Sequence, residues 1–191
     1  MLPEEKRIKT KQQLQEYIAC ESSRYHSNFL FRLLELTEGN ILCKYQHLLR
    51  KTEFHHNTHH RLRSLFYKYR LVRMSNRYSL HVPINVCEKG LHFLHVGPIL
   101  ISCNAQVGQK CSFHINTALV NQGRNAQAPT LGNGIVMGVG SICVGGIHVA
   151  DNVAIGANAV VTKDITEPNI AVGGVPAKKI SNNGRLEWNK K

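Results

Sequence analysis

Hydrophobic positions in the first 81 residues recur three and four positions apart, the spacing of one face of an α-helix. The groups that carry this spacing are Leu14, Tyr17 and Ile18, then Phe29, Phe31 and Leu34, and then Ile41, Tyr45, Leu48 and Leu49. Residues 37–40 interrupt the pattern and are typical of one helix ending and another beginning. The pattern predicts a helical region with at least three helices before residue 60.

A further helix is predicted from His60 to Met74. Its apolar positions, which we expect to face inward, are Leu62, Leu65, Phe66, Tyr69 and Val72. The same segment is strongly basic, through Arg61, Arg63, Lys68, Arg70, Arg73 and Arg77. Basic residues interleaved with aromatic ones are found in nucleic-acid-binding helices and in helices that rest on an acidic membrane. A solvated basic face opposite an apolar core face explains the pattern equally well.

After residue 82 the hydrophobic period becomes six. The inward positions that it predicts are Ile101, Val107, Phe113, Leu119, Leu131, Met137, Cys143, Val149, Ile155 and Val161. The step from Leu119 to Leu131 is twelve, so the phase survives an interruption. A period of six fits neither a helix, at 3.6, nor a two-sided strand, at 2, but it fits a triangular coil with one side per repeat. The second half therefore predicts a three-sided parallel β-helix.

The composition changes at the same place, because Gly, Ala, Val, Ile and Asn replace most long charged side chains. The predicted fold class is mainly β with α. It comprises an α-helical region at 1–81, a β-helix at 82–181 and a polar tail at 182–191.

Charge and cysteine content narrow the class of protein further. The 191 residues carry a formal net charge of +12, which favours anionic partners such as nucleic acid, acidic membrane or a phosphorylated small molecule. The six cysteines contain no C-x-x-C pair, which indicates buried thiols rather than disulfides or a zinc site. No apolar run approaches the roughly 20 residues that span a bilayer, and the first residues lack a secretory apolar stretch. We expect a soluble, cytoplasmic protein.

Three segments in the second half carry a family resemblance: residues 90–97, 153–164 and 172–180. In these segments the sequence resembles the hexapeptide-repeat acyltransferases. Within that family it is similar to the serine acetyltransferase-like group, which includes capsular-polysaccharide O-acetyltransferases. The resemblance covers 82–181. It implies left-handed coils, a homotrimer, and acetyl-CoA bound as co-substrate in the groove between neighbouring subunits, with no metal required and no nucleic-acid partner.

Two histidines are the candidate catalytic residues. Transfer of an acetyl group from a thioester to a hydroxyl needs a base, and histidine suits this because its pKa lies near neutrality. His95 stands where the family has its catalytic histidine, although it could instead cap a coil. His114 lies nineteen residues further, about one coil, so the two could stack on one edge; a locally bonded corner residue is its alternative role. His92 is expected on the opposite strand face, with a structural role.

The resemblance assigns acetyl-CoA to the later coils. Val139 and Ala157 lie eighteen residues apart, one full coil, and would offer backbone groups to the pantetheine arm. Thr162 and Lys163 leave the coil edge at the phosphate end, and Lys178 would meet the nucleotide phosphates as a point charge. The alternative for Lys178 is a solvated surface lysine.

The acceptor prediction rests on departures from the family pattern. Classical serine acetyltransferases have one Asp fifteen residues before the catalytic His and another directly before it, where this chain has Leu80 and Leu94. An Arg-His-Pro segment is replaced at 127–129. Because an unpaired ammonium is costly to bury, we predict a sugar acceptor, of a surface polysaccharide or its precursor, with serine as the alternative. Glu88 or a backbone carbonyl could then orient His95.

Two further segments attract attention. Residues 123–125 predict a loop over the acceptor site, in which Arg124 could read an acidic acceptor or be merely solvated. Residues 55–60 contain four histidines. We interpret them as a polar interhelical loop, in which Asn57 and Thr58 begin the next helix and opportunistic metal binding is a lesser alternative.

Overall fold

The computed structural model describes residues 1–25, 29–123 and 127–185, with the backbone alone at 29–31. A short 3-10 turn at Glu4–Lys6 precedes four helices: α1 (Lys11–Ser22), α2 (Phe29–Leu34), α3 (Glu38–Asn57) and α4 (Arg61–Tyr78). Fourteen strands include β1 (Leu80–His81), β2 (His92–Phe93), β3 (Ile99–Ile101), β4 (Gln106–Val107), β5 (Ser112–Phe113), β6 (Thr117–Val120) and β7 (Thr130–Leu131). The others are β8 (Val136–Met137), β9 (Ile142–Val144), β10 (His148–Val149), β11 (Ala154–Ile155), β12 (Val160–Val161), β13 (Ala171–Gly173) and β14 (Lys178–Ser181).

Side-chain caps fix where two of the helices begin. Thr10 forms a capping box with Gln13 at the start of α1. The hydroxyl of Thr37 accepts a hydrogen bond from the backbone amide of Asn40 at the start of α3. The second cap confirms the helix break predicted at residues 37–40, and it places Glu38 in the first turn of α3.

The strands form three flat sides of a parallel β-helix. One side has the order β1-β3-β6-β9-β12, the second β10-β7-β4, and the third β14-β13-β11-β8-β5-β2. Pairing is parallel except between β13 and β14. Ile142 pairs with Val160, eighteen residues on, which is three hexads per coil. The coils between β4 and β7 and between β6 and β9 include the twelve-residue step, since Gln106 pairs with Thr130 and Ala118 with Ile142.

The predicted inward positions form the core of this β-helix. All ten residues of the six-residue period, from Ile101 to Val161, are at most 2% exposed. Each coil buries its inner residues against the next coil, so the core is a continuous column rather than a central cluster. The period-six prediction is confirmed.

The inward face predicted for α4 is wrong. Leu62, Leu65, Phe66, Tyr69 and Val72 are exposed, by 47% to 85%. The residues of α4 that are buried against α3 and the first coil are instead Leu71 and Met74. The helix has two apolar stripes on opposite sides, and periodicity cannot tell which of them meets the core.

A buried ion network joins the helical region to the β-helix. The guanidinium of Arg50 in α3 is 0% exposed and donates to Glu21 of α1 at 2.7 Å and to Glu53 at 2.9 Å. It also donates to the backbone carbonyl oxygens of Cys87 at 2.8 Å and Glu88 at 3.0 Å, in the first coil. Three elements are thus bonded to one side chain.

The histidine-rich segment ends one helix instead of beginning another. His55 and His56 occupy the last turn of α3, and Thr58 is the C-cap. Asn57 and Thr58 were predicted to begin a helix, and that prediction is wrong. The ring of His55 stacks on Tyr67 with centroids 5.1 Å apart. Within the described residues, no group of three or more metal-ligating side chains could hold an ion.

Four of the six cysteines, Cys43, Cys87, Cys111 and Cys143, are buried as free thiols. Cys103 is exposed. Among the described segments, no helix has the length and apolarity needed to cross a membrane.

Candidate active site

The candidate residues gather at one corner of the β-helix, where the chain leaves the third side. The strand register brings His92, Ser112, Val136 and Ala154 into one row. His95, Val139 and Ala157 each come three residues after the first residue of their strand. They therefore lie above one another along the corner. The sequence prediction that Val139 and Ala157 stack on one side agrees with this register, and His95 falls in the same row.

His95 is held by a carboxylate from the helical region. Its Nδ1 lies 3.2 Å from Oε2 of Glu38, and the backbone amide of Val96 donates to Oε1 of the same side chain at 3.2 Å. An ionised carboxylate only accepts hydrogen bonds, so we assign the proton to Nδ1. This leaves Nε2 of His95 free to accept a proton. The side chains of His95 and Glu38 are 57% and 55% exposed, so the pair is open to solvent.

Glu38 was missed by sequence reasoning, which named Glu88 or a backbone carbonyl as the group that orients His95. Glu88 is elsewhere: its carboxylate accepts from Lys6 at 2.7 Å and from Gln109 at 3.3 Å. Glu38 is 57 residues before His95, and no local pattern links the two positions. The available signal was the helix start at Thr37, which places an acidic residue where α3 meets the coil.

His114 lies beside His95 on the next coil. The ring centroids are 6.3 Å apart and the planes are inclined by 40°. Burial, and secondly the charge of His95, lower the pKa of His114 below its ordinary value. Its backbone is fixed, because its amide donates to Met137 O at 3.0 Å and its carbonyl accepts from the Thr117 hydroxyl at 2.8 Å. The predicted stacking on one edge is present, with His114 in the neutral form at pH 7.

His92 points away from this corner, as its odd spacing from His95 predicted. Its ring lies 5.5 Å from the ring of Tyr25. Burial, and then the nearby Arg24 and Arg185, lower the pKa of His92 to about 4. It is therefore neutral at pH 7 and is not part of the His95 corner.

The two leucines that stand at the family's aspartate positions have different surroundings. Leu80 is 0% exposed, and its carbonyl accepts a hydrogen bond from the Tyr45 hydroxyl at 2.7 Å. Leu94 is half-buried directly before His95. The only carboxylate bonded to His95 in the described part of the chain is that of Glu38.

The candidate acetyl-CoA residues continue along the same corner and beyond it. Val139 and Ala157 are exposed, and in the described ranges neither backbone amide donates to a backbone carbonyl. Thr162 and Lys163 are exposed just after β12, and Lys178 is exposed at the start of β14. The amide of Ala177 donates to Val160 O at 2.8 Å, which sets the start of β14 against β12.

The start of β14 at Lys178 therefore lies next to β12, the strand that Thr162 and Lys163 follow. The neighbouring Lys179 is already bonded, through its ammonium, to the carboxylate of Glu167 at 2.5 Å. Lys178 has no carboxylate partner among the described residues. Arg124 and Asn125 of the predicted acceptor loop lie outside the described residues, while Ala128 and Pro129 after it are buried.

Solved structures share this architecture over nearly the whole chain. A serine acetyltransferase in complex with cysteine matches with a TM-score of 0.67 and 20% identity, covering 90% of this chain and 71% of that one. Soybean serine acetyltransferase apoenzyme gives 0.68 and 19%, covering 89% and 70%. The protein from Brucella abortus gives 0.63 and 22%, covering 91% and 69%. The chain therefore has the left-handed parallel β-helix fold of the hexapeptide-repeat acyltransferases, preceded by helices, as predicted.

Sequence comparison finds serine acetyltransferases and a bifunctional GlmU protein among the curated relatives. The serine acetyltransferase of Helicobacter pylori is 36% identical over 87 residues, which are 44% of this chain and 51% of the relative. That of Synechococcus elongatus is 32% identical over 98 residues, 50% of this chain and 40% of the relative. The bifunctional protein GlmU of Clostridium botulinum is 30% identical over 97 residues, 50% of this chain and 20% of the relative.

The chain spans about half the length, or less, of the curated relatives it matches. No family profile matches it. The similarity is thus to part of the serine acetyltransferases and to part of the bifunctional GlmU proteins.

Proposed function

We propose that the protein is an acetyl-CoA-dependent O-acetyltransferase that acetylates the hydroxyl of a small acceptor. The observation that carries the proposal is the Glu38–His95 contact at a β-helix corner. The corner row leads from this pair past His114 to Val139 and Ala157.

The proposed reaction is direct attack without an acetyl-enzyme. Nε2 of His95 takes the proton of the acceptor hydroxyl while its oxygen forms a bond to the thioester carbonyl carbon. The tetrahedral intermediate then collapses as the carbon–sulfur bond breaks, and the leaving CoA sulfur takes the proton back from His95. The Glu38 carboxylate accepts the Nδ1 proton and stabilises the imidazolium that forms between the two steps.

Acetyl-CoA fits the remainder of the corner. The amides of Val139 and Ala157 are donors for the polar groups of the pantetheine arm, and Lys163 and Lys178 are cations for the phosphates. Thr162 adds a hydroxyl beside Lys163. His114, neutral because of burial, is available to donate to or accept from the acceptor.

We propose a homotrimer with active sites between subunits. Support comes from the openness of the site in one chain, since the side chain of His95 is 57% exposed and Val139 is 40% exposed. Closing such a site against water strengthens its electrostatic interactions. Light scattering should give three times the 21.5 kDa chain mass, and a monomer would contradict this arrangement.

Serine is the first acceptor to consider, because relatives with similar sequences include serine acetyltransferases. A sugar hydroxyl is the second candidate. It is favoured by Leu80 and Leu94, which offer no carboxylate to an ammonium group. The two acceptors differ in charge, so the same site should discriminate between them strongly.

The test is CoA release from acetyl-CoA by the purified full chain, with L-serine compared against a panel of sugars and nucleotide sugars. Release that depends on serine supports the serine acceptor, and release only with a sugar supports the second candidate. The absence of acceptor-dependent release with every compound would contradict the transferase proposal.

A further inference from the structure

The outward side of α4 carries an apolar stripe that no residue in the described part of the chain covers. The stripe, named here the α4 stripe, consists of Leu62, Leu65, Phe66, Tyr69 and Val72, which are 47% to 85% exposed. At 100° per residue these positions lie opposite the buried Leu71 and Met74. Five large exposed apolar side chains on one helix face form a contiguous patch, and such patches mark interaction sites.

Basic residues border the stripe on both sides. By helical geometry, Arg61 and Lys68 lie along one edge and Arg70 and Arg77 along the other, with Arg73 just inside the second edge. The helix Arg61–Tyr78 contains no acidic residue. In the described part of the chain, Arg77 is the only cation of α4 that pairs with a carboxylate, that of Glu35 at 3.3 Å. The surface is an apolar strip between two rows of largely unneutralised charge.

Basic residues of the neighbouring helices α2 and α3 extend the charged border of the α4 stripe. A shallow groove beside it is lined by further cations from α2 and α3, namely Arg32, Lys44 and Lys51, together with Arg70. Leu33, Leu34 and Leu36 are exposed at the end of α2, and the Lys44 ammonium bonds to Leu33 O at 3.2 Å. Apolar and basic groups thus continue from α4 onto the neighbouring elements.

We propose that the α4 stripe docks on a bilayer surface rich in anionic phospholipid. The helix would lie in the plane of the interface, with Leu62, Leu65 and Phe66 among the acyl chains and Tyr69 at headgroup level. The bordering arginines and Lys68 bind lipid phosphates. An anionic surface supplies both the apolar phase for the stripe and the negative charge for its borders.

Two other partners fit the surface less well. Nucleic acid would neutralise the cations but would leave the aliphatic Leu62, Leu65 and Val72 without a partner. A second copy of the chain would cover the apolar groups but would set arginine-rich borders against each other, in a protein with net charge +12. Only the anionic bilayer matches both halves of the pattern.

Vesicle flotation of the full chain tests the proposal without using acetyl-CoA. Vesicles of phosphatidylcholine with about one third phosphatidylglycerol are compared with pure phosphatidylcholine, at low and high salt. We expect binding to the anionic vesicles, little to the neutral ones, and weakening by salt as the Debye length falls from about 10 Å to about 3 Å.

Two variants separate the contributions of the stripe and its borders. Leu62→Ser with Phe66→Ser should weaken the partition by more than about tenfold, because both side chains lose a buried position. Arg61→Gln with Arg73→Gln should weaken it by roughly fivefold per charge. The matched control is Lys9→Gln with Lys11→Gln, which removes the same charge from exposed positions near α1 and should bind like the parent protein.

Several outcomes would overturn the proposal. These are no binding to anionic vesicles, equal weakening by the control pair, or binding of a labelled duplex DNA in place of vesicles. A change in oligomer mass for Leu62→Ser with Phe66→Ser, measured by light scattering, would assign the stripe to contacts between copies. Circular dichroism of each variant verifies that α4 is retained.

Discussion

Two of the places where helix α3 meets the β-helix differ in burial and in the number of hydrogen bonds. Near its middle, Arg50 is fully buried and bonded to two carboxylates and two coil carbonyls. At its first turn, Glu38 touches His95 in a contact that is more than half exposed on both sides. The Arg50 contact holds α3 on the first coil. The Glu38 contact places a carboxylate beside His95 at the beginning of the same helix.

We expect the Arg50 contact to affect mainly stability and the Glu38 contact to affect mainly catalysis. A buried charge is costly to leave unpaired, so removal of one member of the Arg50 network should lower stability. An exposed pair contributes little to stability because water screens it. Glu38 is therefore free to serve His95, and the two contacts predict effects of opposite kind.

The largest expected effect is on stability, from Arg50→Ala. Removal of the guanidinium leaves the buried carboxylates of Glu21 and Glu53 without a cation, although the amide of Asn85 still donates to Glu53 at 2.8 Å. This should lower the free energy of unfolding by about 3–5 kcal/mol. Urea unfolding followed by circular dichroism measures it. Lys9→Ala, which removes an exposed pair with Glu4, is the control. A loss for Arg50→Ala as small as that of the control would show that the network does not dock the helices.

The next effect is on turnover, from His95→Ala. Loss of the general base should lower kcat by about a hundredfold or more, with the unfolding curve unchanged because the side chain is exposed. His92→Asn is the matched control, since His92 is off the corner and should retain turnover. Equal losses in both variants would remove His95 from the role of base.

A smaller effect is expected from Glu38→Gln. The amide can still contact His95 but no longer supplies negative charge, so kcat should fall by about fivefold, the equivalent of roughly 1 kcal/mol for an exposed pair. Stability should stay the same, in contrast to Arg50→Ala. Rescue by Glu38→Asp, in part, is the readout that a merely structural role would not give. A loss of stability comparable to that of Arg50→Ala would erase the distinction between the two contacts.

The smallest effect concerns pH. Burial lowers the pKa of His47 and of His92 to about 4, against an ordinary value of 6.5. The unfolded chain therefore binds more protons than the folded one below pH 6.5, so stability falls as the pH drops from about 6.5 toward 4. Thermal unfolding at pH 7 and near pH 5 should show this loss. His47→Gln with His92→Gln should flatten it, and an unaltered slope would contradict the assignment.

The β-helix could be predicted almost entirely from the sequence, because the constraint is local and repeated. Each coil turns at a fixed interval and must place an apolar side chain inward. The burial of Val107 and Val149 can therefore be predicted from their positions in the repeat alone. The stacking of Val139 and Ala157, eighteen residues apart, follows from the same interval. In a repeat fold, residues that are one coil apart in sequence lie above one another in space.

The helical region could be predicted only as helices. The choice between the two apolar stripes of α4 depends on where α3 lies, and that is a long-range fact. Glu38 was missed for the same reason, since its partner is 57 residues away. The burial of Arg50 could not be predicted either, because nothing in its own segment places Glu21 beside it.

The most direct test of the central claim is the product balance of one reaction. Purified full chain is given acetyl-CoA and the active acceptor, and the acetyl ester is quantified by mass spectrometry beside the CoA released, for the parent protein and His95→Ala. The account predicts equal amounts of ester and CoA in the parent and about a hundredfold less of both in the variant. CoA release without an ester, or an undiminished yield from His95→Ala, would contradict it.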